Sequence, residues 1–159
     1  MTDVPDALRD LDIDTPALLL DRAALVDNIR TMAAFAESKG VGLRPHAKTH
    51  KSADIARLQI EAGALGVCVA KLGEAEALAD AGIDRLTITA PLVGRHKLER
   101  LARLAERIDE LMIVVDDARM ARAVAAAVAG RRKPLACLVD LDPGLGRTGR
   151  ADEGEAVAL

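Results

Sequence analysis

Short apolar runs alternate with longer amphipathic segments through most of this chain, and that rhythm constrains the fold more than any other feature. The short runs lie at 17–20, 41–45, 66–70, 85–90, 111–115 and 135–141. An Ala-, Leu-, Glu- and Arg-rich stretch of about one helix's length follows each run, so the unit recurs every 20–25 residues or so. This alternation predicts parallel strands joined by crossover helices, either in a closed barrel or in an open doubly wound sheet.

The evenness of the step favours the barrel. A (β/α)8 barrel takes about 250 residues, whereas this chain has 159. We therefore predict an α/β fold: a (β/α)8 barrel truncated to about five βα units plus an N-terminal strand at 17–20. Residues 1–159 would form a single, incomplete barrel domain. The first helix is predicted from a cap at Asp21 through Ser38, with Gly40 beyond its end.

Composition and charge exclude several classes of partner. The net charge is −3 and Phe35 is the one aromatic residue, so we expect no nucleic-acid binding. No apolar run approaches the roughly 18 residues of a membrane span. The N-terminal segment MTDVPDALRDLDID has five acidic residues and no signal-like apolar stretch, which favours a cytoplasmic protein.

The densest functional chemistry follows the apolar run at 41–45, in the heptapeptide PHAKTHK. Catalytic groups in barrels and open α/β sheets lie at the carboxyl ends of strands. If residues 44–50 stay extended, Arg44, His46, Lys48 and His50 share one face. Cationic neighbours would then favour the free amine of Lys48, the form that Schiff-base formation requires. The alternative is a solvated loop over the barrel mouth.

Three segments together carry a resemblance to a known family. RPHAKTHK (44–51), with IDTPALLLDRAALVDNI before it and VDLDPGLGRTG after it, resembles the D-threonine aldolase and D-serine dehydratase family, whose members have the fold of bacterial alanine racemase. The resemblance covers nearly the whole chain in order and spacing. It implies a pyridoxal 5′-phosphate cofactor and makes Lys48 its Schiff-base residue.

The same resemblance implies that Arg147, in DPGLGRTG, approaches the phenolic oxygen of the cofactor; an ion pair within the loop is the alternative. Three further candidates come from their positions at the ends of strand-like runs. His46 and His50 could tune the cofactor or move protons, or could serve packing and loop hydrogen bonds. Lys71 is a rival for the cofactor, with a helix cap or a surface ion pair as its alternative role.

The resemblance also implies the reaction. It points to a lyase acting on β-hydroxy D-amino acids, by retro-aldol cleavage to glycine and an aldehyde. D-serine dehydratase-like elimination of water, or racemisation, is the alternative. Family members add a divalent metal (Mn, Mg or Zn), held by a C-terminal β domain that this sequence does not contain, so no metal ligand is assigned. We expect a homodimeric or monomeric parent, and we expect the chain by itself to be inactive.

Two other functions compete. GLGRTG (144–149) matches G-x-G-x-x-G after a strand-like run, the outline of a dinucleotide site, although it belongs to the fifth unit and Pro143 interrupts its approach. A non-catalytic binding module is the other possibility. It would have no need of Lys48, and an absorbance band on adding pyridoxal phosphate would separate it from the enzyme.

Overall fold

The structure is a computed structural model that describes residues 12–131 and 133–159. Residues 1–11, which carry most of the acidic N-terminal segment, lie outside the described part. The described helices are α1 (Arg22–Ser38), α2 (Ala53–Glu61), α3 (Leu72–Asp80), α4 (Arg95–Arg107), α5 (Ala118–Ala127) and α6 (Glu153–Val157). The strands are β1 (Val67–Val69), β2 (Arg85–Ile88), β3 (Glu110–Val115) and β4 (Ala136–Val139).

The four strands form one parallel sheet in the order β1-β2-β3-β4. A doubly wound sheet reverses its strand order near the middle, and this sheet does not. Because crossovers between parallel strands are right-handed, a sequential order places the connecting helices on one face. Neighbouring helices also pack together, α3 on α4 and α4 on α5. The sheet is therefore an arc of a barrel, as the spacing of the runs predicts.

The prediction of a strand at 41–45 is wrong. The segment nevertheless runs alongside β1, in the position that a first strand would occupy. Pro45 accepts a hydrogen bond from the Cys68 N–H (2.7 Å), and the Ala47 N–H donates to the Cys68 carbonyl (2.7 Å). A single parallel bridge, His46 to Cys68, results. Pro45 has no N–H, so the ladder loses a donor at its centre. The first unit thus has an extended segment, 43–47, in place of a strand.

The predicted strand at 17–20 is also wrong. These residues form no strand, and the side chain of Leu18 is 99% exposed. A strand needs a partner as well as an apolar run, and no pairing to 17–20 occurs within the described residues. The helix that follows is confirmed. The carboxylate of Asp21 accepts the Ala24 N–H at 3.0 Å, which caps α1.

The hydrophobic core lies between the sheet and helices α3–α5. The strand residues that face these helices are almost fully buried: Val67, Val69, Leu86, Ile88, Leu111, Ile113 and Val115. The register places another row, Cys68, Thr87, Met112 and Ala136, on the opposite face, which is the inner side of the arc. All four residues of β4 are exposed. No helix in the described part of the chain is long and apolar enough to cross a membrane.

An ion pair crosses the inner face at the amino-terminal end of the arc. Arg44 reaches from the 43–47 segment over β1 and β2 to bond the carboxylate of Glu110 on β3. Gly66 makes this crossing possible, because a Cβ there would lie 2.6 Å from Arg44 Nη1 and 2.5 Å from the Arg85 carbonyl oxygen. The pair ties the segment that leads to Lys48 to the third strand of the sheet.

Candidate active site

The carboxyl ends of parallel strands share one edge of the sheet. Here that edge carries the turn after the 43–47 segment, Thr89 after β2, Asp116 after β3 and Asp140 after β4. The structure therefore brings the chemistry of PHAKTHK to the same edge as the ends of the later strands.

The backbone turns at Ala47, so the alternation that assumes an extended chain over 44–50 is wrong. Residues 47–50 form a turn closed by the Lys51 N–H, which donates to the Ala47 carbonyl (2.8 Å). Lys48 and His46 still meet, because the Lys48 N–H donates to His46 Nδ1 at 3.3 Å. The Lys48 side chain is exposed and makes no ion pair with any described residue. Its amine is therefore open to a small molecule.

A hydrogen-bond chain fixes the ring of His46. Since Nδ1 accepts from the Lys48 N–H, the proton of the neutral ring is assigned to Nε2. Nε2 then donates to Thr89 Oγ1 at 3.1 Å, and the Thr89 hydroxyl donates to the Val69 carbonyl at 3.0 Å. Burial, followed by the charge of Lys48, lowers the pKa of His46 below its usual value. The neutral ring thus links the Lys48 turn to the ends of β1 and β2.

His50 serves the other side of the turn. Its Nδ1 accepts the Ser52 N–H at 3.1 Å, and Ser52 caps α2 through the Ile55 N–H (3.3 Å). Burial lowers the pKa of His50, against a smaller opposing effect of the side chain of Gln59. The structure therefore places His50 at the start of α2 and not beside Lys48 on one extended face.

Arg147 lies on a loop that closes on itself. Residues Leu141 and Arg150 form a parallel bridge, with the Asp142 N–H donating to the Arg150 carbonyl (2.9 Å). Inside this loop the Asp142 carboxylate accepts the N–H groups of Gly144, Leu145 and Gly146 at 2.7–2.9 Å. Burial opposes the charge of Asp142, but these three donors lower its pKa. The loop is therefore organised around an ionised aspartate.

The loop geometry also bears on the dinucleotide alternative. A dinucleotide fingerprint leads from its strand straight into a helix whose N-terminus holds the phosphates. After Gly149 this chain instead returns to pair with Leu141, and α6 begins only at Glu153. Gly149 has a φ of 94°, and a Cβ there would lie 2.7 Å from the Asp142 nitrogen. The glycines of GLGRTG therefore allow the loop between Leu141 and Arg150 to close, and they do not lead into a phosphate-binding helix.

Arg147 and Lys48 lie on the same edge but at opposite ends of the arc. Three strands, β1–β3, separate the segment that leads to Lys48 from β4, which leads to Arg147. The side chain of Arg147 is exposed. The structure thus places both cationic groups around one mouth without bringing them into contact.

Lys71 occupies a different environment. It is the N-cap residue of α3, where Glu74 accepts the Ala70 N–H at 2.9 Å and the Lys71 N–H at 3.3 Å. Its side chain lines a cavity on the helix side of the sheet together with Val69, a residue of the helix-facing row. Glu74 is a residue that sequence reasoning missed, although it lies three residues after the N-cap Lys71, which is capping-box spacing. The sequence analysis also did not predict the contact between Thr89 and His46.

These groups fit pyridoxal phosphate, which presents an aldehyde, a phenolic oxygen and a phosphate. The exposed amine of Lys48 matches the aldehyde, and the exposed guanidinium of Arg147 matches an anionic oxygen. A metal does not fit in the same way. Within 12–131 and 133–159, no group of three or more His, Cys, Asp or Glu side chains could hold a metal ion.

Comparison with known proteins identifies the domain to which the chain is similar. The model of the alanine racemase N-terminal domain matches residues 20–159. D-threonine aldolase of Arthrobacter sp. is 40% identical over 147 residues, which are 92% of this chain and 38% of that enzyme. D-threo-3-hydroxyaspartate dehydratase of Delftia sp. (strain HT23) is 38% identical over 73% of this chain and 30% of its own length.

A solved structure shows the same fold. The crystal structure of D-threonine aldolase from Filomicrobium marinum superimposes with a TM-score of 0.88 and 45% identity, over 92% of this chain and 40% of that one. The chain therefore spans well under half the length of these relatives. Because the domain model matches residues 20–159 and a relative is 40% identical over 92% of this chain, the chain belongs to the alanine racemase N-terminal domain family.

Proposed function

We propose that the protein is a pyridoxal phosphate-dependent lyase of β-hydroxy D-amino acids, and that residues 1–159 supply the part of its barrel that holds the cofactor. The observation that carries this proposal is the exposed Lys48 amine, without an ion-pair partner among the described residues, in a turn fixed at the carboxyl edge. The similarity to D-threonine aldolases supports it. Pyridoxal phosphate, when bound, supplies the electron sink for cleavage at the substrate α-carbon.

Lys48 holds the cofactor covalently in this proposal, and His46 positions Lys48. Both ring nitrogens of His46 are engaged, Nδ1 by the Lys48 N–H and Nε2 by Thr89. A ring held in this way orients its neighbours better than it exchanges protons with a substrate. We assign the same kind of role to His50, which orders the junction between the turn and α2.

Arg147 contributes a permanent positive charge at the mouth. The guanidinium stays charged at any physiological pH and can bind an anionic oxygen with two parallel N–H groups. The loop that carries it is held by Asp142 and by the Leu141–Arg150 bridge. We propose that this charge binds the phenolic oxygen of the cofactor.

Retro-aldol cleavage is our first candidate reaction, and elimination of water is the second. The aldolase from Arthrobacter sp. is matched over 92% of the chain and the dehydratase from Delftia sp. over 73%. Racemisation ranks third. A divalent metal, which the family resemblance implies, would need ligands other than the described residues. The cytoplasmic location stays a prediction.

Chemical trapping tests the assignment. The purified protein is incubated with pyridoxal phosphate, reduced with borohydride and digested, and the peptides are mapped by mass spectrometry. The label is expected on Lys48, and Lys48→Arg should remove it, whereas Lys71→Arg, the matched control, should leave it in place. A label on Lys71 that survives Lys48→Arg would overturn the assignment. Turnover of D-threonine and D-serine by the full-length protein, followed separately, distinguishes the aldolase from the dehydratase.

A further inference from the structure

A cavity of about 590 Å³ lies on the helix side of the sheet, behind the turn that carries Lys48. Five apolar residues form its floor: Ala47, Val69, Leu72, Leu78 and Leu92, each at most 6% exposed. The volume falls in the range of small-molecule sites, which are mostly apolar with a few placed polar groups. The active-site chemistry described above lies on the opposite, inner side.

Four cationic side chains line the rim of this cavity: Lys51, Lys71, Lys97 and Arg100. Glu74 is the one carboxylate among the lining residues. Lys97 and Arg100 are three residues apart on α4 and therefore share a face. The rim is positive in a chain whose net charge is −3, so the concentration of positive charge is local.

Two of these cations already have partners. Lys51 Nζ lies 3.6 Å from Glu74 Oε1, and Arg100 forms two bonds with Glu76, one of them from Nε to Oε1 at 2.9 Å. Lys71 and Lys97 make no ion pair with the residues that the structure describes. The rim thus has two positive charges that an incoming anion would neutralise.

Lys51, which belongs to the same motif as Lys48, lines this cavity. Lys51 has a φ of 50°, the one positive φ at a non-glycine residue in the described part of the chain. L-residues adopt this conformation rarely, and it commonly marks a functional turn. The turn 47–51 therefore presents Lys48 at the mouth and Lys51 at the cavity, so one motif serves both sides of the sheet.

We propose that this cavity is a binding site for a small amphiphilic carboxylate, with the apolar chain on the leucine floor and the carboxylate between Lys71 and Lys97. A bare inorganic anion would leave the floor unfilled, and an uncharged chain would leave the two lysines unneutralised. The proposal does not depend on the reaction assigned to the mouth. A bound molecule would touch Ala47 and Lys51, which flank Lys48 in its turn.

Methyl NMR tests the site directly. Three probes are titrated into the protein at constant ionic strength: hexanoate, hexan-1-ol and inorganic phosphate. The methyl signals of Leu72, Leu78 and Leu92 report binding. Hexanoate should shift all three signals saturably, and both other probes should bind at least tenfold more weakly.

Variants of the lysines then test whether Lys71 and Lys97 bind the carboxylate. Lys71→Ala/Lys97→Ala should weaken hexanoate binding at least tenfold, whereas Lys133→Ala should not change it, because Lys133 lies elsewhere and pairs with Asp109 at 2.5 Å. If the double variant unfolds, Lys97→Gln alone, a change on the surface of α4, can be compared with Lys133→Ala for its hexanoate affinity. Equal binding of hexanol or of phosphate, absence of saturation, or unchanged affinity in the lysine variants would each overturn the proposal.

Discussion

Gly66→Ala tests whether the crossing of Arg44 to Glu110 holds the first unit of the barrel in place. The new Cβ would lie 2.5 Å from the Arg85 carbonyl oxygen and 2.6 Å from Arg44 Nη1. The carbonyl belongs to β2, which pairs with both neighbours and cannot move aside. Arg44 would have to leave, and Glu110 would lose its partner.

The magnitude follows from two contributions. Overpacking against a fixed backbone destabilises by about 1–3 kcal/mol. Loss of the ion pair adds only about 1 kcal/mol, because its side chains are 20% and 41% exposed and are partly screened by water. We therefore expect a loss of about 2–4 kcal/mol beyond the backbone strain of placing a Cβ at a φ of 155°.

Gly63→Ala is the matched control. Gly63 also has a positive φ, 108°, but a Cβ there would have no neighbour within 4 Å. Urea unfolding followed by circular dichroism compares the two variants. With a slope of about 2 kcal/mol per molar urea, Gly66→Ala should unfold about 1–2 M earlier than Gly63→Ala. Midpoints that agree within about 0.3 M would refute the argument that Gly66 is required for the crossing.

Three further outcomes are expected. Arg147→Ala should weaken pyridoxal phosphate binding about 10- to 100-fold, since a charge-assisted hydrogen bond contributes about 1.5–3 kcal/mol. Arg147→Lys should retain part of the affinity that is lost in Arg147→Ala. If an absorbance titration shows unchanged affinity in Arg147→Ala, the residue does not bind the cofactor. Thr89→Val should slow attachment of the cofactor to Lys48 and destabilise the fold by about 1–3 kcal/mol, because His46 Nε2 loses its acceptor. Thr89→Ser, which keeps the hydroxyl, should behave like the parent. Equal attachment rates in the two variants would contradict the role of His46 in positioning Lys48. Folding lowers the pKa of His46 and His50, so the unfolded chain binds more protons and stability should fall as the pH drops below about 6.5. Replacing both with Gln should reduce the change in the free energy of unfolding between pH 7 and 5. An undiminished pH dependence would exclude the two histidines as its source.

Hydrophobic patterning was sufficient to locate the four paired strands but not to decide which apolar runs pair. The runs at 85–90 and 111–115 became β2 and β3 because each has a neighbour on both sides. The run at 17–20 has the same apolar character, yet no partner among the described residues. At 41–45 the missing N–H of Pro45 limits pairing to one bridge. Pairing is a tertiary property that local sequence does not contain.

The candidate site was predictable in outline and not in its hydrogen bonds. Parallel topology implies that Lys48 and Arg147 lie on one edge. The contact of His46 with Thr89 depends on the register of three neighbouring segments, which the sequence alone leaves open. The turn at Ala47 likewise needs Lys51 in a left-handed conformation, and a lysine is not a residue that signals such a turn.

The sequential strand order has a consequence for how the chain assembles. Each strand pairs with the one made just before it, so loop closure stays short and contact order low. During synthesis, every unit would meet its partner as it leaves the ribosome. Two side-chain contacts of the 43–47 segment span more of the chain: His46 and Thr89 are 43 positions apart, and Arg44 and Glu110 are 66 positions apart. The segment that leads to Lys48 is therefore made before β1, but its contact with β3 can form only after Glu110 has been made.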